Sequence, residues 1–233
     1  MITFIEPLPQ DYKEATGLEQ LLTLGHYYES QHKIDEAKQL FKFAADKGFI
    51  PGQIKLGGIL LQEGNRDEAK RLFKLGADKN HPLGQWGLAI MERQDGNIEE
   101  AKRLHKLAAD QGLVYAQNSL AAIYVEEGNF EEAKRLLKLA VDQGYDRAQF
   151  NLAVLLRKEG NVVEAKKLYK LSADQGYEPA RRTLESARKV SIPQEQKPSL
   201  KRKESEKENL PERAEEESEA EIIQATKKLL SLK

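Results

Sequence analysis

Glu100-Ala101-Lys102-Arg103-Leu104-His105-Lys106-Leu107-Ala108-Ala109-Asp110-Gln111-Gly112 returns almost unchanged, 32 residues later, as Glu132-Ala133-Lys134-Arg135-Leu136-Leu137-Lys138-Leu139-Ala140-Val141-Asp142-Gln143-Gly144. Looser copies open at Glu36, Glu68 and Glu164, so five starts follow one another at the same 32-residue interval without insertion or deletion. A fixed period of this length marks a solenoid, because one such unit cannot bury its apolar face alone and stacking supplies the core. The pattern predicts an all-α chain. It is an α-solenoid, a right-handed superhelix of antiparallel helix pairs with five full 32-residue repeats and a capping helix.

Within each unit the first helix keeps one apolar position, Leu24, Leu56, Leu88, Leu120, Leu152 and Leu184. A small residue follows it, at Gly25, Gly57, Ala89, Ala121 and Ala153, and lets a neighbouring helix come close. Gly64-Asn65, Gly96-Asn97, Gly128-Asn129 and Gly160-Asn161 then stop the helix. Glycine there accepts a left-handed backbone, and asparagine is suited to capping the next helix. The first unit has His32-Lys33 instead, which predicts a looser turn. The second helix aligns Ala37, Leu40 and Phe43, with their equivalents Ala101, Leu104 and Leu107, as its packing face at helical spacing. It ends at Gly48, Gly112, Gly144 and Gly176, with Asn80 in the second unit.

These features resemble a known superfamily. Leu-Gly or Leu-Ala in the first helix, Gly-Asn at the turn and Ala-x-x-Leu in the second helix resemble the tetratricopeptide repeat. The joint Ala-Asp-Gln-Gly-x-x-x-Ala-Gln-x-x-Leu-Ala, clearest over residues 109–121, is more similar to the Sel-1-like repeat, a close relative. The resemblance covers roughly residues 12–190 and implies adaptor work in assembling protein complexes. One departure stands out: the loop that Sel-1-like repeats carry between their helices has shrunk to Gly-Asn-x-x, and the cysteine bridges of some members are absent.

The repeat predicts four segments: an N-terminal arm over 1–10, the solenoid over 11–190, a disordered charged linker over 191–215 and a short amphipathic helix over 216–233. The linker sets Pro193, Pro198 and Pro211 among Lys, Glu and Ser. In the last segment glutamates crowd the start and lysines the end, as a helix dipole favours. With 32% charged residues, a net charge of −1 and no cysteine, the 233-residue chain carries neither a bulk basic footprint nor thiol chemistry. No stretch reads as a signal peptide or reaches the about 18 apolar residues of a spanning helix. The expected location is cytoplasmic, with signal-less secretion also compatible.

Function is expected on the concave groove, which the resemblance to tetratricopeptide-like solenoids implies is lined by the first helices. Projected by period, the partner-binding candidates are Ile54, Trp86, Ile90, Arg93, Asn118, Phe150, Val154 and Arg157, with Leu22, His26, Leu61 and Val125 beside them. They vary between units while the packing positions do not, and Trp and Arg are common hot-spot types. The plainer reading of Ile54, Trp86 and Phe150 is packing between neighbouring first helices. The expected occupant is a peptide or helix of a partner protein; a regulatory subunit of an enzyme complex is an alternative.

A second alternative is nucleic-acid binding through the lysines at 38, 70, 102, 134 and 166 and at 42, 74, 106, 138 and 170. Against it, glutamates and aspartates repeat as faithfully, and no aromatic residues are interleaved for base stacking. The repeated aspartates lie about 10 Å apart, too far to share an ion. The four histidines form neither a metal site nor a triad, and no phosphate-cradling loop occurs. The chain is therefore expected to be non-enzymatic, without cofactor or metal. The amphipathic tail is a further candidate, able to dock in the groove of its own or another molecule.

Overall fold

The structure, a computed structural model, describes residues 17–190. The expected arm, linker and tail helix lie outside the described residues. Within these, the chain is eleven helices of 13 residues and no strand: α1 (Leu18–Ser30), α2 (Ile34–Asp46), α3 (Ile50–Gln62), α4 (Arg66–Asp78), α5 (Pro82–Gln94), α6 (Ile98–Asp110), α7 (Val114–Glu126), α8 (Phe130–Asp142), α9 (Asp146–Lys158), α10 (Val162–Asp174) and α11 (Glu178–Val190). First helices open at Leu18, Ile50, Pro82, Val114, Asp146 and Glu178, keeping the 32-residue period of the sequence. The described chain divides after Tyr145 into two compact units, α1–α8 and α9–α11.

In the first unit each helix packs on its sequence neighbours from α1 to α8. Ala37, Leu40, Phe41 and Ala44 are fully buried in α2, and α6 repeats this with Ala101, Leu104, His105 and Ala108. The expected third member of that face turns outward. Leu75, Leu107, Leu139 and Leu171 are 37–51% exposed. The reason is angular: the residues three, four and seven positions after Ala37 complete the stripe, and the sixth falls beside it.

Side-chain volumes compensate across the first four pairs; the fifth sets Ala153 opposite the larger Tyr169. A methyl group added at Gly25 would lie 2.4 Å from the Phe41 ring, and one at Gly57 would lie 3.2 Å from Phe73. Where the first helix carries Ala89 or Ala121, the ring position holds the smaller His105 or Leu137. Such compensation keeps the interior close-packed. The crossing of α4 and α5 is close: a Cβ on Gly84 would stand 2.6 Å from the backbone of Gly76. In the next crossing both positions are alanine, at Ala108 and Ala116.

The turns close alike. Gly64 has φ +83°, and Asn65 N–H donates to the Leu60 carbonyl at 2.8 Å, a Schellman closure. Asn80 takes the same left-handed conformation at φ +57°. The first turn is not looser than the others. His32 itself adopts φ +59°, and Lys33 N–H reaches the Tyr28 carbonyl at 2.9 Å. The hydrogen bonds around it impose the glycine conformation on a residue that resists it. Asparagine capping is divided: Asn129 and Asn161 accept from the amides of Glu132 and Glu164, whereas Asn97 donates to Glu92.

In the second unit α9 packs on α10 and α10 on α11. Phe150 is 5% exposed and its ring meets Tyr169 and Tyr177 at centroid distances of 5.5 and 5.4 Å. Ser172 donates to the Asp146 carbonyl at 2.8 Å, tying the end of α10 to the start of α9. In α11 the equivalents of the buried Gln149, Phe150 and Ala153 are Arg181, Arg182 and Glu185, all exposed, which suits a terminal helix.

Candidate functional site

The varying face of the first helices can be built residue by residue. In α3, Ile54 is only 8% exposed and covers Gly76, so it serves packing. In α5, Trp86 is half-buried; its ring lies 5.3 Å from Tyr115 of α7, and Nε1 donates to Ser119 Oγ at 3.3 Å. Tyr115 is 41% exposed and meets Tyr145 edge-on at 5.4 Å. Trp86, Tyr115 and Tyr145 thus form an aromatic run on the first unit. One and two turns beyond Trp86 lie half-buried Ile90 and Arg93, and the Arg93 guanidinium pairs with Glu126 at 2.5 Å. Asn118 is half-buried on α7. In the second unit Phe150 is a packing residue, while Val154 and Arg157 stay half-buried on α9. The candidates therefore separate into core residues, Ile54 and Phe150, and partly accessible ones.

The repeat period does not single out Tyr115 and Tyr145. They hold the second position of the helix and the loop before it, where Leu83 and His81 stand one and two repeats earlier. Their aromatic type was the only available signal.

Six of the ten ladder lysines are drawn into ion pairs, Lys134 with Glu131 on its own helix among them. Lys38 bridges to Glu63 at 2.5 Å, Lys70 to Asp95 at 2.7 Å and Lys102 to Glu127 at 2.7 Å, each reaching the turn of the next helix pair. Hydrogen bonds to these carboxylates hold the Lys70 and Lys102 ammonium groups above the usual lysine range. Lys42 and Lys106 pair with Asp46 and Asp110 one turn on, both at 3.1 Å. Glu68, Glu100 and Glu132 are engaged by Arg71, Arg103 and Arg135. The paired charges on these second helices thus neutralise one another, while Lys74, Lys138, Lys166 and Lys170 form no ion pair with a described residue. Among the described residues no three His, Asp or Glu side chains converge as metal ligands would, and no helix is long and apolar enough to cross a membrane.

His105 replaces a core aromatic. It is 1% exposed, burial drives its pKa down to about 4 with help from the Arg93 charge, and its Nδ1 has no partner among the described residues. Buried this way, it is a neutral packing residue. Burial also lowers the pKa of His81.

Sel1 repeat profiles match residues 24–49, 50–81 and 82–113, and a tetratricopeptide repeat profile matches 118–180. Residues 24–113 thus carry Sel1 repeats, and residues 118–180 match a tetratricopeptide repeat. Its Sel1-like fold recurs in a Sel1 repeat protein from Oxalobacter formigenes, 21% identical over 76% of this chain and 80% of that one, with a TM-score of 0.62. It is also similar to c5321, a protective antigen of uropathogenic Escherichia coli displaying the SLR fold. The two are 25% identical over 75% of this chain with a TM-score of 0.62, and the match spans 42% of the antigen. An immunity protein from Pseudomonas aeruginosa, PA5088, is 22% identical over 77% of this chain and 74% of its own, with a TM-score of 0.57. No curated protein matches significantly by sequence. Sel1-like and tetratricopeptide repeat proteins generally mediate protein–protein interactions.

Proposed function

We propose that this chain is a non-enzymatic scaffold that holds a peptide or helix of a partner protein on the first-helix face of its α1–α8 unit. The aromatic run Trp86–Tyr115–Tyr145 carries the reading. Half-exposed aromatic side chains offer large contact area at small entropic cost, and they are enriched among residues that dominate binding energy. Ile90 adds apolar surface, while Arg93 and Asn118 add polar contacts that set the register of a bound segment. The pairing of Lys38, Lys70 and Lys102 with carboxylates weighs against the nucleic-acid alternative. The place of action is taken to be the cytoplasm.

The test is affinity capture with the full chain and with a Trp86→Ala/Tyr115→Ala variant of equal helicity. A partner retained by the first and lost by the second supports the reading. Equal capture by both moves the binding site off this face.

A further inference from the structure

The two units treat their first-helix cations differently. In α5 the Arg93 guanidinium is neutralised by Glu126, 33 residues later on the next first helix. Arg157 of α9 is its equivalent two repeats on, and the residue 33 positions later is Val190. The carboxylate that closes the first pair has no counterpart in the second. Arg147 and Lys158 are in the same state, so none of these three cations forms an ion pair with a described residue.

Residues 147, 151, 154 and 158 succeed one another at three- and four-residue steps, with Arg157 beside them, so they share one face of α9. Arg147, Asn151, Val154 and Arg157 are half-buried and Lys158 is exposed. The face thus sets Asn151 and Val154 between cationic ends. Arg147 and Arg157 sit about 15 Å apart along the axis at 1.5 Å per residue.

The chain supplies the complementary charge itself. Residues 212–221 hold Glu212, Glu215, Glu216, Glu217, Glu219 and Glu221 against the single Arg213, and Ile222 and Ile223 follow directly. The 21 residues between Val190 and Glu212 reach up to about 70 Å when extended. The distance from α11 back to α9, one repeat, is on the order of 10 Å. Tethering on this scale gives an effective concentration that makes weak contacts sufficient.

We propose that the acidic stretch 212–221, with Ile222 and Ile223, docks in cis on the α9 face bounded by Arg147 and Arg157. Carboxylates engage the two guanidiniums, and an isoleucine covers Val154. The contact lies on the second unit, so it stands independently of whether the Trp86 face binds a partner.

The chain has no cysteine, so Val163→Cys and Ser218→Cys place two spin labels in the full-length protein without competing sites. Val163 is 72% exposed and begins α10, next to the end of α9. Pulsed electron–electron resonance is expected to show a short, narrow distance population at low salt. Adding Arg147→Gln and Arg157→Gln is expected to shrink it about threefold or more, the loss that two partly screened charge pairs give. Raising salt to about 1 M, where the screening length is near 3 Å, should do the same without any substitution at α9. A broad distribution at low salt overturns the proposal, as does a short population indifferent to both treatments. A population that vanishes when the labelled chain is diluted tenfold with unlabelled chain overturns the cis assignment and points to exchange between copies.

Discussion

The side-chain amide of Gln111, at the end of α6, donates to Gln85 Oε1 at the start of α5 across 2.8 Å. Gln85 in turn donates to Asn80 Oδ1 at 2.7 Å, so one buried glutamine links the ends of α4 and α6. Gln117 repeats the clamp, donating to the Ala109 carbonyl and accepting from Gln143. Gln149 accepts from Gln175 in the second unit. Gln53 makes only the first half, toward the Ala45 carbonyl, and its buried Oε1 has no partner among the described residues. The residue that would complete it is Lys79.

Lys79→Gln should therefore stabilise the protein. The new amide donor satisfies a buried acceptor, and such a hydrogen bond contributes about 0.5–1.5 kcal/mol. Urea denaturation followed by circular dichroism measures it. An unchanged or lowered midpoint would show that the clamp is not transferable between repeats.

His32→Gly should stabilise too. A non-glycine residue in the left-handed region costs roughly 1 kcal/mol, and position 32 is held there at φ +59°. The same denaturation series reads the gain; a loss would mean that the imidazole makes contacts worth more than the backbone strain.

Gly84→Ala should be destabilising by about 1–3 kcal/mol, the usual cost of overpacking. Its Cβ meets Gly76 backbone, which has no rotamer through which to yield. Ala116→Gly, at the equivalent position in α7, serves as the comparison: it loses a methyl group without opening a clash. A Gly84→Ala chain as stable as the parent would contradict the close crossing.

His105 gives the fold a pH dependence of defined sign. Its folded pKa of about 4 lies below its ordinary 6.5, so the unfolded chain binds more protons between these values. The stability this histidine contributes is complete above pH 6.5 and is lost as pH falls toward 4, at up to about 1.4 kcal/mol per pH unit. His81 adds in the same direction. His105→Leu should flatten the slope between pH 6.5 and 5, above the range where the paired carboxylates Glu68, Glu92 and Asp95, all lowered by their cationic partners, begin to titrate. Leucine is the replacement of choice because Leu137 already stands opposite an alanine, Ala121, as His105 stands opposite Ala89 by the repeat. Equal slopes for both proteins would place the pH sensitivity elsewhere.

The repeat was legible because backbone requirements recur at fixed positions. Gly64, Gly96, Gly128 and Gly160 each mark a left-handed turn, and Asn80 was readable as the substitute for glycine. What escaped the sequence depends on partners distant along the chain. The Gln85–Gln111 clamp joins residues whose side chains look solvent-directed until two helix ends come together. Lys70 has a plausible partner one turn back in Asp67, yet it reaches Asp95 across the next turn. His32 shows the converse: hydrogen bonds imposed by the turn override a local preference. On the varying face, period alone placed Trp86, Ile90 and Arg93 together. It could not separate them from Ile54 and Phe150, because burial there depends on side-chain size in the adjacent helix.

On the proposed function, the first-helix face of α1–α8, and not its second-helix face, meets the partner. A photo-crosslinking residue at Ile90 tests it most directly, with one at the 39%-exposed Leu107 of α6 as the comparison. The partner captured through Trp86 is expected to crosslink from position 90 and not from position 107. Crosslinking from position 107 alone would contradict the proposed function and assign the binding to the exposed leucines of the second helices.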